Sequence, residues 1–185
     1  MRDAAKARSL LRSATATEHE RVDAAFGGYL LADRAHYTAF LKAQAEAFLP
    51  VEAAIDQAQP EQVMSDWADR RRAPLLKRDL AALGVTAESV AEFPIPNSPE
   101  ALLGAIYVLE GSRLGGKFLE RQIGDDFPRE FLSAHDSASW RQLVGVIDER
   151  LQSPAQIDAA IASAKSVFAF FENSALRHIR GPGNG

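Results

Sequence analysis

Apolar residues recur at helical spacing along most of the chain. They fall three or four positions apart in residues 34–58, 140–151 and 154–171, which places them on one side of an α-helix. Two of the helical segments open with a proline, at Pro99 and Pro154, a residue that the first turn of a helix tolerates. The pattern predicts six or seven helices and no strand.

Composition supports an all-α fold. The 185 residues include 33 Ala against 17 Val plus Ile, and Ala is the best helix former whereas β-branched residues suit strands. This length is typical of one domain. We therefore expect a single-domain multi-helix bundle over residues 1–180, followed by a flexible, glycine-rich tail at residues 181–185.

Charge, cysteine content and hydropathy exclude several classes of function. The chain has no Cys, which excludes disulfides, thiolate metal sites and Cys nucleophiles. The net charge of −4 gives no indication of nucleic-acid binding. No apolar run reaches the roughly 18 residues of a membrane span, and the N-terminus lacks the apolar region of a signal peptide. These features predict a cytoplasmic protein with no nucleic-acid or membrane partner.

His19 is the histidine with the most unusual surroundings among the four in the chain. Helical spacing places it on the same face as Leu11, Thr15, Val22 and Phe26. An imidazole on such a face requires a partner for each ring nitrogen. Two interpretations remain open at this point: a core histidine that is hydrogen-bonded to a neighbour, or a ligand of a metal or haem iron.

Glycines interrupt a segment that otherwise has a helical pattern. Residues 102–123 carry apolar residues in helical period, yet they include Gly111, Gly115 and Gly116. Each interior glycine costs about 1 kcal/mol relative to alanine, so a compensating interaction is expected. Either close packing between helices or the approach of a large flat ligand would provide it, and the spacing leaves both possibilities open.

Together, these two segments resemble the haem oxygenase family. Residues 11–23, LRSATATEHERVD, are similar to the proximal helix of that family, in which Leu-Arg/Lys-x-x-Thr precedes the haem-ligating His. Residues 107–116, YVLEGSRLGG, are similar to its distal helix, which kinks over the haem at glycines. The EGSRLGG segment is most similar to bacterial members often found beside bacteriophytochromes. The resemblance covers most of the chain and implies haem held between the first helix and a Gly-kinked distal helix.

The resemblance also implies a set of site residues. His19 matches the iron ligand. The distal residues that leave room for O₂, and that we expect to act in catalysis, are Gly111, Ser112 and Gly115. The remaining haem-binding positions are two propionate-binding cations, an aromatic wall and a further distal glycine: Arg12, Arg141, Phe168 and Gly116. Many family members carry Asp where this chain has Ser112, whose hydroxyl is uncharged.

The activity implied by the resemblance is cleavage of haem to biliverdin, CO and ferrous iron by O₂ and electrons. The chain has no nicotinamide or flavin fingerprint, so we expect a separate donor, a ferredoxin or an NADPH-dependent reductase. A bacteriophytochrome is a candidate acceptor of biliverdin. Basic residues are candidate docking charges for an acidic donor, with a solvated helix face as the alternative for residues 70–78: Arg70, Arg71, Arg72, Lys77, Arg78, Arg113, Lys117 and Arg121.

Three other functions compete with haem cleavage. A haem carrier or sensor would bind haem through His19 without degrading it, and the uncharged Ser112 leaves that alternative open. A structural helical adaptor would bury His19 and use the glycines only for packing. A non-haem di-iron oxidase typically has Glu-x-x-His pairs, and this sequence contains none.

Overall fold

A computed structural model describes residues 6–87 and 91–179 of the chain. Within these residues all regular structure is helical, as predicted. The predicted tail at residues 181–185 lies outside the described residues, and the domain boundary at residue 180 stays a prediction.

The helices are α1 (Ala7–Ala14), α2 (Ala16–Phe26), α3 (Arg34–Gln57), a 3₁₀ turn (Pro60–Gln62), α4 (Trp67–Arg70), α5 (Ala73–Ala82), α6 (Pro99–Glu120), α7 (Glu130–Ser133), α8 (Ser137–Arg150) and α9 (Pro154–Ile179).

Helix α9 is the central element of the bundle. It packs against α6, α3 and α2, because apolar side chains cover most of its circumference along its first five turns. The core between these helices contains fully buried side chains such as Phe40, Phe48, Leu103 and Ile106. In the described part of the chain, no helix has both the length and the apolar character needed to cross a membrane.

The N-terminal segment forms two helices where one was predicted. The backbone leaves helical geometry at Thr15, with φ −107° and ψ 4°, and α2 starts at the next residue. The Thr15 hydroxyl donates a hydrogen bond to the Leu11 carbonyl over 2.8 Å, a local bond that competes with regular helix geometry. The chain also has more helices than predicted, since the four-residue helices α4 and α7 are too short to show a periodic pattern.

Helix α6 is continuous through its glycines and approaches α9 closely at one of them. A Cβ atom on Gly104 would lie 2.2 Å from the carbonyl oxygen of Ala160 in α9. No residue with a side chain fits at this crossing, since atoms that are not bonded do not approach so closely. The absence of a side chain at Gly104 therefore sets the distance between α6 and α9.

Two buried carboxylates cap helices that flank α6. Glu52 of α3 accepts hydrogen bonds from the backbone N–H groups of Arg72 and Ala73, over 2.8 and 2.9 Å, at the start of α5. Asp79 of α5 accepts bonds from the N–H groups of Glu130 and Phe131, over 3.1 and 2.9 Å, at the start of α7. Burial raises the pKa of Glu52 and of Asp79. These caps fix α5 and α7 behind α6.

Candidate functional site

We infer a cleft between α2 and α6, with α9 as its floor. Both helices pack on α9, and Thr15 lies close enough to Tyr107 at one end to lower the pKa of the Tyr107 phenol, against the larger, raising effect of burial. His19 lies four residues, about one helical turn, beyond Thr15, and Gly111 lies four residues beyond Tyr107. The cleft therefore has His19 on one wall and the glycines of α6 on the other.

The imidazole of His19 is exposed to this cleft and is oriented by Asp23. Its side chain is 59% exposed, and Nδ1 lies 3.1 Å from the Asp23 carboxylate, one turn further along α2. When Nδ1 carries the proton that it shares with the carboxylate, Nε2 has a free lone pair, which is the form that binds a metal. The ring also meets Phe168 edge to face, with centroids 5.7 Å apart. The interpretation of His19 as a buried core histidine is therefore wrong.

Two ion pairs fasten α2 to α9 on either side of His19. Glu18 binds Lys165 over 3.1 Å, and Arg21 binds Glu172 over 2.8 Å. The two acidic residues and the two basic residues alternate between the helices, so each pair opposes rotation of α2 about its axis. The pairs hold the His19 face of α2 toward the cleft.

The three glycines noted in α6 have three different environments. A Cβ on Gly115 would meet no atom within 4 Å, and one on Gly111 would lie 3.7 Å from the Trp140 ring, an ordinary contact distance. A Cβ on Gly116 would instead lie 2.7 Å from the Leu132 carbonyl oxygen, next to the end of α7. Gly116 therefore allows close packing on α7, and its assignment to haem binding, like that of Gly111 and Gly115 to the distal wall, stays a prediction.

Apolar side chains beside Gly115 are left uncovered. Leu114 is 48% exposed and Phe118 is 69% exposed. With Tyr107, Gly111 and Gly115 they form one face of α6, because these positions are separated by three or four residues. An uncovered apolar face opposite an available imidazole nitrogen suits a large flat ligand with a metal at its centre.

Two exposed arginines flank the same cleft and carry no ion pair within the described residues. The charge of Arg12, on α1, acts on the Tyr107 phenol, whose pKa is nevertheless raised by burial. Arg141 follows Trp140 on α8, and the Trp140 ring packs on Tyr107 with centroids 5.5 Å apart. Free cations at this position fit the propionates of haem. The imidazole, the open apolar face and the cations together fit a haem group.

Ser112 borders the open face and is bonded from behind α6. Its hydroxyl donates to the Leu109 carbonyl over 2.7 Å and accepts from Nη2 of Arg72 over 2.6 Å. The same Nη2 donates to the Leu109 carbonyl over 2.5 Å. Ser112 therefore has a cationic hydrogen-bond donor as its partner.

A buried polar network lies on the other side of α6. Glu110 binds Arg70 of α4 and Arg113 of α6, each over 2.8 Å. Arg70 also binds Asp66 and the Ser139 carbonyl. Because Arg70, Arg72 and Arg113 are at most 8% exposed, the prediction that they contribute to an exposed docking surface is wrong, and so is the alternative of a solvated face for Arg70 and Arg72.

Sequence reasoning missed four residues of this region. Asp23 was recognisable, since it lies at i+4 from His19 on the same helix. Tyr107 was recognisable from its position one turn before Gly111. Glu110 and Arg72 gave no signal, because isolated charged residues on a helix are usually exposed. The di-iron interpretation has no ligand set in residues 6–87 and 91–179, where no group of three or more His, Asp or Glu side chains could hold a metal.

Comparisons with known proteins agree with this geometry. A family model described as heme oxygenase matches residues 5–176. A protein named heme oxygenase from Xanthomonas campestris pv. campestris (strain 8004) is 40% identical over 117 residues, which cover 59% of this chain and 70% of that protein.

Solved structures show the same fold. The NO- and CO-bound heme oxygenase from Neisseria meningitidis aligns with a TM-score of 0.81 and 21% identity, covering 96% of this chain and 94% of that one. Heme oxygenase from Leptospira interrogans aligns with a TM-score of 0.72 and 16% identity, covering 93% and 99%. The matched family model spans nearly the whole chain, and the chain therefore belongs to the haem oxygenase family, as an enzyme that degrades haem with O₂ and reducing equivalents.

Proposed function

We propose that this haem oxygenase binds one haem in the cleft between α2 and α6 and holds its iron through Nε2 of His19. The single observation that carries the proposal is the exposed imidazole, whose Nδ1 is bonded to Asp23 and whose Nε2 has no protein partner among the described residues. Bound haem supplies the iron at which O₂ is reduced, and it is also the substrate that is cleaved to biliverdin, CO and ferrous iron.

Asp23 and Phe168 fix the imidazole for this role. The Asp23 carboxylate accepts the Nδ1 proton, which sets the tautomer and makes Nε2 a stronger ligand. The edge-to-face contact with Phe168 limits rotation of the His19 imidazole. Phe168 is itself buried, so it forms part of the floor against which the haem would rest.

Gly111, Ser112 and Gly115 form the wall opposite His19. Because the two glycines have no side chains, the helix backbone itself borders the region where O₂ must approach. Ser112 supplies a hydroxyl at the border of that space. We assign to Ser112 the role of holding a water molecule. Arg72 occupies one lone pair of the Ser112 hydroxyl oxygen, and the other lone pair can accept a hydrogen bond from the water.

Arg12 and Arg141 set the rotation of the haem in its plane. Arg12 acts by its charge on Tyr107, Arg141 follows Trp140, whose ring packs on Tyr107, and neither arginine has an ion pair among the described residues. Bidentate pairing with the propionates would use these free donors. Since the edge of haem that faces the glycines depends on this rotation, these two cations control which biliverdin isomer forms.

The electron donor is proposed to be a separate acidic protein, a ferredoxin or an NADPH-dependent reductase. Of the predicted docking cations, Arg71 and Arg78 are exposed but paired with Asp56 and Glu130. Lys77, Lys117 and Arg121 are exposed and have no ion pair within the described residues, and the last two flank the exposed Phe118. A bacteriophytochrome as the acceptor of biliverdin, and a cytoplasmic location, stay predictions.

Replacement of His19 tests the proposal directly. Purified chain is mixed with hemin, and ascorbate is added in air while the Soret band and the biliverdin absorbance are recorded. The wild-type chain should give the spectrum of a His-ligated complex that decays into biliverdin. His19→Ala should lose that spectrum, because no other imidazole borders the cleft in the described part of the chain.

His36→Ala is the matched control. His36 lies at the start of α3, where it accepts a bond from the Leu30 N–H, and its replacement should leave the spectrum and the turnover unchanged. An unaltered spectrum in His19→Ala contradicts the ligand assignment. A wild-type complex that is stable under ascorbate and O₂, with no biliverdin, would favour the haem carrier.

A further inference from the structure

Arg72 occupies an unusual position for an arginine. It is 2% exposed, and its guanidinium carbon lies 4.8 and 4.9 Å from the ring centroids of Phe48 and Phe131, two rings that contact each other edge to face with centroids 5.1 Å apart. Such cation–π contacts favour a cation that has left water.

The polar contacts of Arg72 do not compensate fully for the cost of burying its charge. Its Nε is buried without a hydrogen-bond partner, and among the described residues no carboxylate forms an ion pair with its guanidinium, on which Glu110 and Glu52 act only by their charge. Burial, together with the neighbouring charge of Arg113, lowers the pKa of Arg72 to about 9, so the side chain remains a cation at neutral pH. A buried cation that lacks a bonded counterion usually reduces stability.

The one part of α6 that this cation reaches is the turn at Ser112. Nη2 donates to the Ser112 hydroxyl and to the Leu109 carbonyl, and Ser112 lies three residues from Gly115 and hence beside it on the helix surface. The Ser112 hydrogen is donated to the Leu109 carbonyl, so the two bonds hold the hydroxyl in one orientation and leave one lone pair free as an acceptor. The positive charge thus reaches the border of the cleft through Ser112.

We propose that Arg72 is a positioning residue that acts through Ser112, fixing the Ser112 hydroxyl at the border of the open face of α6 and raising the positive potential there. This inference rests on the proposed haem site. It gives a reason for the burial of an incompletely satisfied arginine, and it explains how an uncharged serine acquires a defined orientation in the distal wall.

The test uses the ferrous haem–CO complex, in which the C–O stretching frequency measures the local electrostatic potential. A positive potential near the oxygen of CO lowers this frequency, so Arg72→Met should raise it. Arg71→Met is the matched control, since Arg71 is the adjacent residue, exposed and paired with Asp56 over 3.0 Å, and it should leave the band in place. Ser112→Ala should also raise the frequency.

The combination of variants separates a positioning role from a structural one. If Arg72 acts through Ser112, then adding Arg72→Met to Ser112→Ala should produce no further shift. The haem-free Arg72→Met chain should melt at a temperature no lower than the wild type, because methionine removes a buried cation and keeps similar apolar volume. Should Arg72→Met fail to fold, Arg72→Lys, which keeps the charge without the planar fork, should give a smaller shift in the same direction.

Several results would overturn the inference. An unshifted or lowered C–O band in Arg72→Met contradicts it, as does an equal shift with and without Ser112→Ala. A wild-type chain that forms no His-ligated CO complex overturns the proposed haem site and this inference with it. An unshifted band in a complex that does form overturns the inference alone.

Discussion

The two faces of helix α6 show opposite uses of the same residue type. Toward α9 and α7, Gly104 and Gly116 lie so close to neighbouring backbone that an added Cβ would come within 2.2 and 2.7 Å of a carbonyl oxygen. Toward α2, Gly115 faces open space and is followed by the exposed Phe118. Glycine on the first face allows helices to touch, whereas glycine on the second leaves room for a ligand.

This comparison shows that the loss of helix stability caused by the glycines is offset in two different ways. An interior glycine loses about 1 kcal/mol of helix stability relative to alanine. At Gly104 the loss is offset within the protein by close packing on α9. At Gly115 no atom of the described residues lies within 4 Å of an added Cβ, and we expect the compensation to come from what binds in the cleft. Alanine substitutions at these positions should therefore change stability in opposite directions.

The largest effect is expected for Gly104→Ala. The added methyl group would overlap the Ala160 carbonyl, and because both partners are helix backbone, neither can move without separating α6 from α9. We expect a loss of about 3 kcal/mol or more in the free energy of unfolding, measured by chemical denaturation of the haem-free chain. Gly145→Ala on α8, where a Cβ meets no atom within 4 Å, is the control and should be stabilising. Equal stability of the two variants would refute the packing role of Gly104.

A smaller loss is expected for Gly116→Ala. Its Cβ would lie 2.7 Å from the Leu132 carbonyl oxygen, which belongs to the short helix α7, an element that can shift more easily than α9. We expect destabilisation of about 1–2 kcal/mol, with the stoichiometry of haem binding unchanged. If Gly116→Ala instead kept full stability and weakened haem binding, Gly116 would serve the haem site and not the packing of α7.

The sequence predicted the fold class and the proximal helix well, for physical reasons. Helical periodicity depends on many residues, so local exceptions such as the break at Thr15 do not obscure it. The family, the all-α fold and the haem-degrading activity are confirmed. The roles of the individual site residues stay predictions, including that of Gly116, where an added Cβ would meet α7.

Positions behind α6 were not predictable, because periodicity does not show what a charged residue meets. In the run Arg70-Arg71-Arg72, the first and third residues are buried and the second is exposed. The three are identical in the sequence, and their environments depend on Glu110 and Ser112, about 40 residues away. The glycines presented the same difficulty, since packing against α7 or α9 depends on residues distant in the chain.

The smallest change in stability, and the sharpest test of the open face, is expected for Gly115→Ala. Alanine should raise the free energy of unfolding of the haem-free chain by up to about 1 kcal/mol, and the melting temperature by about 2–4 °C, as Gly145→Ala should. In the cleft, however, the methyl group projects from the wall that faces His19, where it would separate haem from the α6 backbone. We expect haem affinity about tenfold lower, equivalent to about 1.4 kcal/mol, in Gly115→Ala and unchanged affinity in Gly145→Ala, both measured by hemin titration of the Soret band. A variant that gains stability and keeps full haem affinity would mean that the open face of α6 serves something other than haem.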